Sequence, residues 1–186
     1  MDEKRISYEI IDVAGDTNVM FRTSVDPGSY IPTHWHRAVE IIYMQEGELE
    51  VTVESRTFTI HADDCILVNG NVLHSTKCTA PNKAILLQIP LDFMEKYIPN
   101  LDQLMFLLDC HTTDPVKRTK QMMLKTILEQ LQIINDIRPD GYIMRFNGLI
   151  FELLFQLYHN FSVQVFQRDL SQKKKEMDRL NPVLTY

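Results

Sequence analysis

The sequence predicts a mainly β fold with an α-helical appendage, and three observations carry that expectation. Residues 6–90 break into short apolar, β-branched runs with turn residues between them, the pattern of a sandwich or barrel. From residue 91 the apolar period changes from two to the helical value of about 3.6. The composition, 45% hydrophobic and 24% charged over 186 residues, is that of a globular chain long enough to bury a core without disulfides or a structural metal.

The first half reads as strands in order. Tyr8 to Val13 and Val19 to Val25 are apolar runs, and Asp26-Pro27-Gly28 is a turn. Val39 to Gln45 is a strand closed by the turn Glu46-Gly47-Glu48, and Leu49 to Val53 alternates with period two. Phe58 and Ile60 continue the pattern before a turn at Ala62-Asp63-Asp64. Cys65 to Val68, His74 to Cys78 and Lys83 to Ile89 complete a barrel region over residues 1–90.

The second half, residues 91–165, reads as helices. Leu91 to Ile98 is a short one after Pro90. Thr113-Asp114-Pro115 starts a long one, a capping side chain with proline in the first turn. Leu124, Ile127, Leu128, Leu131 and Ile134 form its apolar stripe, and Arg138-Pro139-Asp140-Gly141 breaks it. A second long helix, expected to run antiparallel to it, carries Ile143, Phe146, Ile150, Leu153, Leu154 and Leu157 on one side and Phe151, Phe155 and Tyr158 on another. A helix apolar on two sides must be covered twice, which predicts a homodimer through the helical pair. Residues 166–186 are charged and end on Asn181-Pro182, the start of a further helix, so a linker leading into another domain is expected.

A net charge of −6 argues against tight DNA binding by this chain alone, and Lys173-Lys174-Lys175 stands among acidic neighbours as a solvated face. Cys65, Cys78 and Cys110 are odd in number and form no C-x-x-C pair, which suits a reducing, cytoplasmic setting. No apolar run is long enough for a membrane helix, so no membrane partner is expected.

The chemistry concentrates in Gly28 to Gly47, GSYIPTHWHRAVEIIYMQEG. Residues two apart on a strand share a face, so His34, His36 and, by parity, Glu40 point into one interior. Two imidazoles and a carboxylate suit a divalent metal, and His74 on a later strand is the candidate fourth ligand. Zinc, nickel, iron or manganese would then be the cofactor, with coordination positions left open. A second reading stays open: the same four residues form a polar lining for an organic ligand, with the buried carboxylate holding an imidazole as a charged donor. Arg22 is a candidate clamp for an acidic ligand or a solvated side chain. Trp35 falls on the opposite face, His61 and His111 are isolated, and Met122-Met123 read as core fillers.

The spacing Gly28, five residues, His34-x-His36, three residues, Glu40, six residues, Gly47 resembles the first cupin motif at every fixed position. The second motif keeps His74. Asp63, Asn69, Asn71 and Cys78 stand where that family has glycine, proline, glycine and asparagine. The resemblance implies a cupin barrel, a double-stranded β-helix. Within cupins, HWHRAVEIIYMQEGELEVTVESRTFTIHADDCILVNGNVLHS and the helices after it look like the N-terminal half of an AraC-type transcription regulator. That likeness implies an effector-sensing and dimerisation domain, not an enzyme. It would bind a small metabolite such as a sugar and reach DNA only through a C-terminal domain absent from this chain. The rival reading is a metal-dependent cupin enzyme, an oxygenase or isomerase, using the three histidines and Glu40. A sugar-binding cupin without a regulatory partner is a third.

Overall fold

The structure, a computed structural model, describes residues 6–13, 15–110 and 112–165. Strands β1 (Ser7–Tyr8), β2 (Met20–Asp26), β3 (Tyr30–Trp35), β4 (Ala38–Glu46), β5 (Glu48–Val53), β6 (Arg56–His61), β7 (Cys65–Val68), β8 (His74–Lys77) and β9 (Asn82–Pro90) form two sheets. One has the order β1-β3-β8-β5-β6 and the other β2-β9-β4-β7. Helix α1 (Leu91–Met94), strand β10 (Leu104–Phe106), helices α2 (Pro115–Ile137) and α3 (Tyr142–Gln156) and strand β11 (Ser162–Gln164) follow.

Strand β4 explains the layering. Seven of its nine residues are buried, because it is covered on both faces. Ile42 and Met44 join Leu49, Val51, Ile60 and Ile66 in the core between the sheets. The alternate residues Val39, Ile41 and Tyr43 join Ile85, Leu87 and the helices in a larger outer core. A strand buried on both faces loses the clean apolar and polar alternation of a half-exposed one. The fold is therefore three layers, with the β4 sheet in the middle.

Helix α2 starts where the sequence predicts. The Asp114 side chain accepts from the backbone N–H groups of Val116 and Lys117, with Pro115 in the first turn. It ends at Arg138, which takes the left-handed conformation before Pro139. Leu124, Leu128 and Leu131 of α2 and Phe146, Ile150 and Leu153 of α3 are fully or almost fully buried in the outer core. Helices α2 and α3 pack on each other, while α1 is a single turn at Leu91–Met94, shorter than the expected 91–98, and the chain runs on as turns over 95–97.

Four expectations need correction. The first strand covers Ser7–Tyr8 rather than 8–13, because its partner β3 ends at Trp35 and leaves nothing to pair with beyond the Glu9 N–H bond to Trp35 O. The segment from His34 to Glu40 is not one strand: β3 lies in the first sheet, β4 in the second, and His36 and Arg37 join them. Strands β10 and β11 pair with each other inside a region whose pattern predicts only helices. Met122 and Met123 are exposed, out of phase with the α2 core stripe, and are not core fillers. Among the described residues no helix is long and apolar enough to cross a membrane. His111, Lys173–Lys175, Asn181-Pro182 and the expected linker of 166–186 lie outside the described residues.

Candidate metal centre

His34 on β3 and His74 on β8 are direct cross-strand partners, so the antiparallel register sets their rings 4.2 Å apart. The bulge between Ile31 and His34 accommodates Pro32, which has no N–H for the ladder. The Pro32 carbonyl accepts from His34 Nδ1 at 2.9 Å, and the Val72 carbonyl accepts from His74 Nδ1 at 2.9 Å. A carbonyl can only accept, so both imidazoles carry a proton on Nδ1 and turn Nε2 into the site. This outer hydrogen bond to a ring is the arrangement that orients metal-ligating histidines.

His36 reaches the same space from the β3–β4 connection, its ring 4.9 Å from that of His74. Glu40 enters from the second sheet, almost fully buried, and His36 Nε2 donates to its Oε2 at 3.1 Å. All four predicted ligands therefore converge. They do so because two sheets face each other, and not because one strand alternates. Ring nitrogens of His34, His36 and His74 lie within 4.8 Å of one another. Ligands at about 2.1 Å from one metal are about 3–4 Å apart, so small side-chain adjustments close the cluster on an ion.

The chemistry of the donors makes the same point. His74 Nε2 is buried with no hydrogen-bond partner among the described residues, and it stands 3.7 Å from Glu40 Oε1. His34 Nε2 stands 3.5 Å from a second carboxylate, Oε2 of Glu9. A nitrogen lone pair facing a carboxylate oxygen is repulsive unless a cation lies between them, either a proton on the ring or a metal. The three histidines with Glu40 fit a divalent cation. Bound there, such a cation would supply a Lewis acid with positions open to a ligand.

Sequence reasoning missed two residues. Gln88 on β9 is the cross-strand partner of Glu40, and its Nε2 donates to Glu40 Oε2 at 2.8 Å and to Glu9 Oε2 at 3.1 Å. Glu9 arrives from the N-terminal segment. Burial acts to raise the Glu40 carboxyl, and the facing His36 and His74 more than offset it, so Glu40 is held well below the usual carboxylate range. Hydrogen bonding with His34 likewise lowers Glu9. Gln88 had no signal beyond being a polar residue within the apolar stretch Ala84–Ile89, and Glu9 was one acid in a charged N-terminal stretch.

The departures from the second cupin motif have a structural account. Asp63 and Asn71 hold φ of 72° and 63°, the left-handed region that glycine favours and that Asp and Asn tolerate best among other residues. Asn69, at the proline position, exchanges two hydrogen bonds with the Phe106 backbone, at 2.8 and 2.9 Å, and so ties the barrel to β10. Cys78 is buried, with its sulfur accepting from Asn82 Nδ2 at 3.1 Å. Of the other candidates, Arg22 pairs across from Leu86, two residues along β9 from Gln88, and is exposed with no ion pair among the described residues. Trp35 packs on the Tyr8 ring at 4.7 Å, and His61 is exposed beside Glu48.

The family model for the cupin domain matches residues 21–90. No curated protein matches the chain. Similar solved structures include an RmlC-like cupin from Shewanella frigidimarina, 26% identical over 44% of this chain and 83% of that one, with a TM-score of 0.37. KdgF from a Halomonas species is 21% identical over 41% of this chain and 73% of that one, with a TM-score of 0.36. Bacillus subtilis oxalate decarboxylase is 22% identical over 40% of this chain and 22% of that one, with a TM-score of 0.35. Residues 21–90 thus match the cupin domain where the two-sheet barrel, the complete first motif and the inward histidines stand together.

Proposed function

We propose that the chain is the effector-sensing and dimerisation part of an AraC-type transcription regulator, with a divalent cation in the histidine cluster forming part of the receptor for a small metabolite, a sugar or related compound. The observation that carries this reading is the double duty of β4. Its inner face holds Glu40. Further along the strand, the Tyr43 hydroxyl donates to Glu129 at 3.0 Å and Gln45 donates to Gln132 at 2.6 Å, both on α2. Gln132 also donates to Thr23 of β2 at 3.0 Å. A ligand that displaces Glu40 therefore acts on the strand that seats the helices. It shifts the balance of two states only through its different affinity for them. The exposed aromatic face of Phe151, Phe155 and Tyr158 on and just after α3 supports a homodimer through the helices. The negative charge of the chain leaves DNA contact to a separate domain.

The test is elemental analysis with and without chelator dialysis, followed by sedimentation and a thermal-shift screen of sugars and small acids on the metal-loaded chain. The expected outcome is stoichiometric metal lost in His74→Ala, a dimer that Phe155→Glu dissociates, and at least one stabilising ligand without turnover. A strict monomer at high concentration with no stabilising ligand sinks the proposal. The second reading is a metal-dependent oxygenase or isomerase, and the inward Nε2 atoms of His34 and His74 favour it. In that reading the histidines and Glu40 hold the ion and Gln88 orients Glu40. Oxygen uptake or substrate isomerisation by the loaded chain would select it.

A further inference from the structure

We propose that Glu9 is an additional ligand to the cation, carried on the N-terminal segment, so that metal binding fastens that segment to the barrel; this rests on the cation reading of the histidine cluster. The placement of Glu9 is built, not incidental. Strand β1 pairs in parallel with β3, matching Ser7 to His34 and Tyr8 to Trp35, and the Glu9 N–H bonds Trp35 O at 2.9 Å. The Tyr8 ring rests on Trp35. This register delivers the Glu9 carboxylate to His34 Nε2 at 3.5 Å and His36 Nε2 at 3.9 Å.

Two further observations point to a ligand there. One atom each of Glu9, His36 and Glu40 lies within 4.8 Å of the others, a second metal-sized group that shares His36 with the histidine trio. The two NH₂ hydrogens of Gln88 serve the two carboxylates, one each, and hold them at a fixed separation beside the rings. Charge favours the same assignment. Three neutral imidazoles and Glu40 leave one positive charge of a divalent ion unbalanced in a site where those four residues are almost fully buried, and Glu9 supplies the second negative charge. Glu9 is also the most open member of the cluster, with 43% of its side chain exposed, so it is the ligand that an incoming metabolite can displace.

The experiment titrates the 186-residue chain and Glu9→Gln, Glu9→Asp and His74→Ala with Co²⁺ and Zn²⁺. Affinity is read by calorimetry, coordination by the visible Co²⁺ spectrum, and the N-terminal segment by hydrogen exchange over residues 6–13. The expected result is a loss of affinity of at least about tenfold in Glu9→Gln. It comes with an altered Co²⁺ spectrum and loss of the metal-dependent protection of residues 6–13 that the parent chain shows. Unchanged spectrum and protection in Glu9→Gln overturn the inference even if affinity falls, because the charge would then act only at a distance. In that case the parent chain still binds Co²⁺ and His74→Ala does not, so the cation reading survives. A parent chain that binds neither ion overturns both.

Discussion

Gly47 closes the turn from β4, which carries Glu40, into β5, which is hydrogen-bonded to the His74 strand β8. It has φ of 78°, and a Cβ built on it would lie 2.7 Å from Pro81 O and 2.9 Å from Asn82 Cβ. Gly47→Ala thus meets two separate costs. The left-handed backbone costs an L-residue about 1–2 kcal/mol. The forced contacts are against backbone and a buried side chain, which have little room to move, and overpacking of that kind costs about 1–3 kcal/mol. The expected destabilisation is therefore about 2–5 kcal/mol. Gly141 separates the two contributions, since it has φ of 77° and nothing within 4 Å of the place a Cβ would take. Gly141→Ala should show the backbone cost alone, about 1–2 kcal/mol. Gly47→Asn should stay well below the parent protein in stability, although asparagine tolerates the left-handed region at Asn71. Urea denaturation monitored by circular dichroism measures all three, with the slope checked for constancy. Equal losses for Gly47→Ala and Gly141→Ala, or full recovery with asparagine, would refute the claim that space and not only φ selects glycine here.

Three further outcomes follow from the site and its surroundings. Glu40 and Glu9 both have folded-state carboxyls below their ordinary range, so their contribution is fully present above the unfolded value of about 4.3 and is lost as pH falls through the folded values. Acid titration of stability should therefore be shallower in Glu40→Gln below about pH 5, and an unchanged slope would contradict the assigned ion pairs. Tyr43→Phe removes the hydroxyl that bridges Asp63 at 3.2 Å and Glu129 at 3.0 Å. Both carboxylates can rehydrate, so the loss should be about 1 kcal/mol in thermal or urea denaturation. Burial pushes the Cys65 thiol up to about 12 and raises Cys110, so a thiol reagent at about pH 8 should modify the native chain slowly and the urea-unfolded chain fast. Immediate reaction of all three cysteines in the native state would run against that burial.

Much of this was legible in the sequence because the signals are local. The cap at Asp114, the break at Arg138 to Gly141 and the stripe from Leu124 to Leu131 depend on residues within a turn or two of one another, and the structure has them where the pattern places them. The spacing of His34, His36 and Glu40 picked out three residues that the structure gathers in one cluster, although strand parity missed the change of sheet at His36. Asp63 and Asn71 looked like failures of the second motif, and only their φ values show that the backbone shape was kept with other residues.

The sequence alone determined the β-then-α order, the residue types able to bind a cation and the positions of the main turns, since short-range backbone preferences and apolar periodicity govern these. Tertiary structure decided which nitrogen each histidine presents, because that depends on the Pro32 and Val72 carbonyls lying beside the rings. It also decided that Gln88 and Glu9 belong to the site. Gln88 comes from β9, far along the chain, and Glu9 comes by a parallel pairing with β3. Contacts between residues so distant in sequence leave no periodic trace in either segment, and only the facing of two sheets brings them together.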